Sequence, residues 1–251
     1  MDNRSAQALE MIRKQSEIEN KIYTTAIVQG LTNDNIEPIT DGVCDACKFL
    51  QSSPRIAVVL KEPYDDFKDG QPYGGGYSIV RDCFKKPDAR LNKTWQPLIY
   101  CLWGAKHGLY YDDMDSIADD PEMVSSLQEI AYINVSKMPA YTRSSDSKIK
   151  RCYSIWKDVL HDQLNLYDPD IILFGATLKY FLQDLPGLVK VRDIVSDGVF
   201  VGEEYTWKDK KYISVHHPNN RIIARRNYVN AIIDAIMNLQ SCGQTHQITL
   251  K

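Results

Sequence analysis

No run of the sequence is long and apolar. The longest apolar stretches, such as Ile171-Ile172-Leu173-Phe174, fall far short of the ~20 apolar residues a membrane-spanning helix requires. Residues 1–14 are polar and charged, without the apolar centre of a secretory leader. Cysteines are few: Cys44, Cys47, Cys83, Cys101, Cys152 and Cys242, with only Cys44 and Cys47 in a motif spacing, C-x-x-C. A disulfide framework is therefore not expected in a chain of this length. Basic charge is not in excess either, since 30 Lys and Arg meet 33 Asp and Glu for a net charge of −3. Affinity for nucleic acid comes largely from neutralised phosphates, so any DNA contact must come from a local basic face. There is no internal repeat and no low-complexity tract. These absences lead to the expectation of a reduced, cytoplasmic, monomeric protein with no membrane partner.

What is present is enough for one sizeable core. The chain has 251 residues, 43% of them hydrophobic and 25% charged, which suits a single α/β domain. Residues 5–28 carry helical spacing, with Leu9, Ile12, Ile18, Ile22 and Ala26 near one face. Residues 33–41 read as loop. The β-branched run 55–60 (RIAVVL) reads as a buried strand, as do 130–135 (IAYINV) and 170–174 (DIILF). Residues 70–77 place four glycines among tyrosines, the pattern of a loop whose backbone lies close to something. Residues 95–107 and, more weakly, 123–128 read as helical. Residues 148–164 have helical spacing through Ile149, Ile155, Val159 and Leu164, with Ser145 or Asp146 as the cap. Strand runs at 198–201 and 211–215 flank a polar turn at 207–210, and a final helix spans 222–239 with Val229, Ile232, Ile233 and Ile236 inward.

Short apolar strands alternating with helices argue for a parallel sheet covered on both faces. Ligands of such sheets bind beyond the carboxyl ends of the strands. Three polar segments fall at those ends: Lys61-Glu62-Pro63-Tyr64-Asp65-Asp66, Asn134-Val135-Ser136-Lys137-Met138-Pro139 and His216-His217-Pro218-Asn219-Asn220-Arg221. They describe a pocket built around Glu62, Asn134 and His217.

The same segments resemble the uracil-DNA glycosylase superfamily. Lys61-Glu62-Pro63-Tyr64-Asp65 is similar to its first motif, which reads G-Q-D-P-Y-H in the best-known branch. The segment from Gly70 through Tyr77 to Ile79 is similar to the one carrying the base-stacking aromatic. Ile133-Asn134-Val135 resembles the strand end with the uracil-reading asparagine, and His217-Pro218-Asn219 resembles the H-P-S motif. The resemblance spans roughly residues 44–235. It implies a three-layer α/β/α fold with a central, mostly parallel four-stranded sheet, preceded by an N-terminal helical extension (1–43) and followed by a tail (241–251). It also implies cofactor-free hydrolysis of the bond between DNA and uracil or a related damaged base.

The resemblance further implies roles for individual residues. Glu62 would stabilise the oxocarbenium-like sugar and orient water, with Asp65 as a second candidate acid. His217 would donate to the charge growing on uracil O2. Asn134 would pair with N3–H and O4, an edge that distinguishes uracil from cytosine. Tyr77 would stack on the extruded base, and Tyr64 would crowd the C5 position. Lys137, Asn219 and Arg221, with Arg225 and Arg226, are candidates for phosphate contact. A solvated strand-end carboxylate, a structural histidine, a capping asparagine and a solvated arginine face are the bland alternatives.

The pattern departs from the superfamily in several places. Glutamate stands for aspartate, and an error near an ångström at a reacting group costs about a hundredfold in rate. Asparagine stands for serine in the histidine motif. Residues 112–122 carry Asp112, Asp113, Asp115, Asp119, Asp120 and Glu122, which would repel phosphate near the mouth. The iron–sulfur branch has four thiolates; Cys44, Cys47 and Cys152 match three positions but Met138 stands at the remaining one, so no metal or cluster is expected. Three readings stay open: a glycosylase, a non-catalytic module binding a nucleobase, nucleic acid or protein, and a hydrolase of free nucleosides.

Overall fold

The computed structural model describes residues 3–63, 65–68, 70–140 and 144–238. In chain order its elements are α1 (Asn3–Val28), β1 (Gly42–Val43), α2 (Ala46–Gln51), β2 (Ile56–Leu60), β3 (Asp66–Lys68), β4 (Gln71–Tyr73) and α3 (Trp95–His107). Then come β5 (Ala131–Asn134), α4 (Asp146–Tyr167), β6 (Ile171–Gly175), α5 (Leu178–Phe181), β7 (Val189–Ser196), β8 (Val199–Trp207), β9 (Lys210–Val215) and α6 (Arg225–Met237). Short π and 3-10 turns fill much of 79–91 and 111–129.

The sheet has seven strands and is mixed, not the four-stranded sheet expected, in the order β1-β5-β2-β6-β9-β8-β7. Its centre, β5-β2-β6-β9, runs parallel, while β1 adds antiparallel at one edge and β8 and β7 at the other. Every residue of β2, β5 and β6 is buried, and apart from Asn134 at the end of β5 those runs are apolar. Alternation along them feeds two cores. Ile56, Val58 and Leu60 pack with α3 and α6, and Ala57 and Val59 pack with α1, α2, α4 and α5. The sheet is thus covered on both faces.

The added strands arrive by two tight hairpins. The turns Lys208-Asp209 and Asp197-Gly198 all have positive φ (50°, 61°, 49° and 76°), the geometry that matches strand twist. A small β3–β4 ribbon precedes the glycine-rich loop. That loop runs beside residues 35–40, with Glu37 N donating to Gly74 O at 2.9 Å and Gly76 N to Pro38 O at 3.1 Å. A Cβ on Gly75 (φ 91°) would meet the Glu37 carbonyl at 1.9 Å, so only glycine allows the approach.

One expectation needs correction. Ile18, Ile22 and Ala26 of α1 are buried as expected, but in its first turns the buried residues are Ala8 and Met11, and Leu9 and Ile12 are exposed. α1 packs along α4. Gln15 on α1 both accepts from Val43 N (2.9 Å) and donates to Val43 O (3.2 Å), and β1 belongs to the main sheet. The tail 241–251 lies outside the described residues. Among the described residues, no helix is long and apolar enough to cross a membrane.

Candidate functional site

Four parallel strands end at one edge, and the chain tightens there. Val135 N donates to Leu60 O and Ser136 N to Lys61 O, both at 2.8 Å, extending the β2–β5 ladder past the strand ends. Ala176 N donates to Val215 O at 2.8 Å, and Thr177 Oγ1 to Val59 O at 2.7 Å. Gly175 has no side chain where a Cβ would lie 2.4 Å from Leu60 Cδ2 and 3.1 Å from Pro218 Cδ. The His217-Pro218 segment therefore closes directly onto the ends of β2 and β6.

Asn134 ends β5 and is 1% exposed. Its backbone N–H donates to Asp41 Oδ2 at 2.7 Å. Its side chain is different: neither Nδ2 nor Oδ1 has a hydrogen-bond partner among the described residues, though both are buried. The Tyr132 hydroxyl lies beside the amide, and a hydrogen-bonding contact with Asn134 lowers its pKa against the rise that burial causes, although the contact falls short of full hydrogen-bond geometry. Leaving a buried polar group unpaired costs ~1–3 kcal/mol, so such a group calls for an explanation. By strand alternation the amide lies on the same face as Tyr132, whose ring packs edge-on against Phe84 and Trp95.

His217 supplies a donor. Its Nδ1 accepts from Asn219 N at 3.2 Å. Burial, with the Lys61 ammonium nearby, depresses its pKa from the ordinary 6.5 to about 4. At neutral pH the ring is uncharged, and with Nδ1 accepting, its proton sits on Nε2. Asn220 tightens the loop by donating from its backbone to His217 O (2.8 Å) and capping Ile222 and Ile223 with Oδ1.

The carboxylates are held. The Glu62 side chain is 5% exposed, with Lys148 Nζ 2.9 Å from Oε2 and the Ser144 hydroxyl donating to Oε1. It thus turns toward the start of α4. Asp65 accepts from Gly75 N at 2.7 Å and is bound into the glycine-rich loop. Tyr77 packs against the α3-side core, and its hydroxyl pKa is raised by burial and by Asp65. Tyr64 lies outside the described residues.

Lys137 does not contact phosphate. It is 0% exposed, with Nζ 2.7 and 2.9 Å from the two Asp41 oxygens and 2.9 Å from Gln163 Oε1. Gln163 Nε2 also donates to Asp41 Oδ1 at 2.7 Å. This buried pair and amide hold the backbone of Asn134, and burial lowers the Lys137 pKa against the pull of Asp41. Sequence reasoning missed Asp41 and Gln163. Nothing local marks either, since Asp41 bonds residues 93 and 96 positions away and Gln163 bonds residues 26 and 122 positions away. Asn219 and Arg221 are exposed. Arg226 is taken by Asp112 and Asp197, which also neutralises part of the acidic stretch. Arg225 and Lys93 instead line a cavity of about 170 Å³ beside Pro218, Asn219 and Asn220.

Cys44 packs against the α3–α6 core and Cys152 against the α1–α4 core, on opposite faces of the sheet. Among the described residues, no group of three or more His, Cys, Asp or Glu side chains is placed to hold a metal ion. Larger grooves lie elsewhere, such as an open one of about 750 Å³ lined by Glu10, Lys14, Arg55 and Asp170 among others. No protein-family model matches the chain, and no curated protein matches it either.

Proposed function

We propose that the chain is a DNA-base glycosylase with a uracil-DNA glycosylase-like fold, hydrolysing the N-glycosidic bond of uracil or a related damaged base. The observation that carries this reading is the buried, unpartnered amide of Asn134 at the carboxyl edge of the sheet. An amide offers one acceptor and one donor side by side. Oδ1 accepts from uracil N3–H and Nδ2 donates to O4; cytosine presents the opposite pattern and is left unpaired when the buried amide is held in this orientation by its packing.

The neighbouring groups suit the rest of the chemistry. His217 presents Nε2–H as a neutral donor to O2, where charge grows as the bond breaks. Tyr77 offers a ring for the extruded base. Glu62 supplies negative charge toward the sugar cation and takes up the proton of the attacking water. Arg221, Arg225 and Lys93 provide the local basic face that a protein of net charge −3 needs for DNA.

One observation favours a second reading. Glu62 is engaged by both Lys148 and Ser144, and a carboxylate so engaged orients water poorly. The alternative is a module that binds the base without cleaving. Incubation with a uracil-containing oligonucleotide, followed by alkali, separates the two. Strand scission that is lost in Glu62→Gln and His217→Ala supports the enzyme. Uracil-dependent binding without scission supports the module, and neither binding nor scission on single or double strands removes both.

A further inference from the structure

A second cavity opens beside the His217 segment, where β6 and β9 end and β8 begins. It measures about 250 Å³ and is lined by Ala176, Leu178, Lys179, Phe200, Ser214 and His216, among others. Sites for drug-sized ligands run to roughly 300 Å³ and above, so this one suits a single ring system. Its charged neighbours are already paired. Lys179 is bound to Asp146, and Glu203, opposite Ser214 across β8 and β9, is bound to Lys190 and Tyr205. An uncharged ligand is therefore favoured over a free anion.

Two features mark the cavity as more than a surface dent. Phe200, one of its lining residues, is 50% exposed, an aromatic side chain left open to solvent. Ala176, on its wall, is held at φ 61°, a conformation a residue with a Cβ rarely adopts and one that clusters at ligand sites. An aromatic platform beside the hydrogen-bonding atoms of Ser214 and His216 matches a flat heteroaromatic ring with a polar edge.

We propose that this cavity is a second nucleobase subsite. It stacks the base of a nucleotide flanking the extruded one on Phe200 and meets its edge with Ser214 and His216. The inference rests on reading the neighbouring Asn134–His217 site as DNA-directed, and His216 and His217 are consecutive, so one strand passes both.

The test measures binding of two short single strands that differ at one position. One carries thymine there, the other a uracil whose sugar bears a 2′-fluorine, which resists hydrolysis. Stacking on an aromatic side chain is worth enough that Phe200→Ala should weaken both strands about tenfold. Phe200→Tyr should restore the affinity, and Asn134→Ala should weaken only the uracil strand. Thermal melting of each variant verifies folding, which half-exposed Phe200 should not control. Equal affinity of Phe200→Ala and wild type, with uracil preference intact, overturns the subsite and spares the first site. Loss on both strands in Phe200→Ala, without any uracil preference, keeps the subsite and overturns the first site. Binding of neither strand overturns both.

Discussion

Replacing Asn134 with leucine should make the protein more stable while removing base recognition. Two polar atoms of Asn134, Nδ2 and Oδ1, are buried without partners among the described residues. Each unsatisfied group costs ~1–3 kcal/mol. Leucine has the same branched skeleton, with bulkier methyl groups in place of the two polar atoms, and the main-chain bond from Asn134 N to Asp41 survives the change. After allowing for imperfect packing of the branched side chain, the net gain is about 2 kcal/mol. For a chain of this size, that raises Tm by roughly 4–8 °C. Differential scanning calorimetry and urea unfolding give the stability, and uracil-strand binding gives the function. A fall in Tm would mean the amide is satisfied in the free protein and would refute its reading as a vacant base-binding group. The opposite movement of stability and binding is what a functional site held at a cost to the fold produces.

His217 should make stability depend on pH in a defined window. Its folded pKa of about 4 lies below the ordinary 6.5, so the unfolded chain binds more protons between those values. Stability should fall by on the order of 3 kcal/mol as pH drops through that window, and urea unfolding of His217→Gln should lack this slope. Lys137→Met should cost ~3–5 kcal/mol, because it strands Asp41 without its buried counter-ion. If the variant still binds DNA, the salt dependence should be unchanged, whereas Arg221→Ala should reduce the slope by about one. Gly30→Ala and Gly75→Ala both place a side chain at positive φ, but only Gly75 faces a backbone carbonyl. Gly30→Ala should cost about 1 kcal/mol and Gly75→Ala clearly more by chemical denaturation.

The centre of the fold was legible because burial on both faces leaves a plain trace. The runs at 55–60, 130–135, 170–174 and 211–215 became β2, β5, β6 and β9, since strands covered on both faces are built mostly from apolar residues. β7 left no such trace. It lies at the sheet edge with Val189, Val191 and Val195 exposed, and its charges, Lys190 and Arg192, pair across to Glu203 and Glu204 on β8. Its sequence therefore alternates without an apolar majority, and the sheet was expected to be smaller than it is.

The site divides in the same way. That Asn134 and His217 lie at one edge of the sheet was legible from strand-end position, because parallel strands present their carboxyl-end residues together. Charge state and partners were not legible. Lys137 looks like a surface cation until Asp41, 96 residues earlier, is folded beneath it. Glu62 looks available until α4 brings Ser144 and Lys148 to it. Side chains whose roles depend on distant partners are the ones sequence reading misassigns.

The measurement closest to the central claim is the nitrogen-15 and proton resonance of the Asn134 side-chain amide during titration with free uracil and with free cytosine. The account predicts a saturable shift and slower solvent exchange with uracil, as Nδ2 gains the O4 acceptor, and no such change with cytosine. An unchanged resonance, or the same response to both bases, would contradict the assignment of Asn134 as the base-reading group.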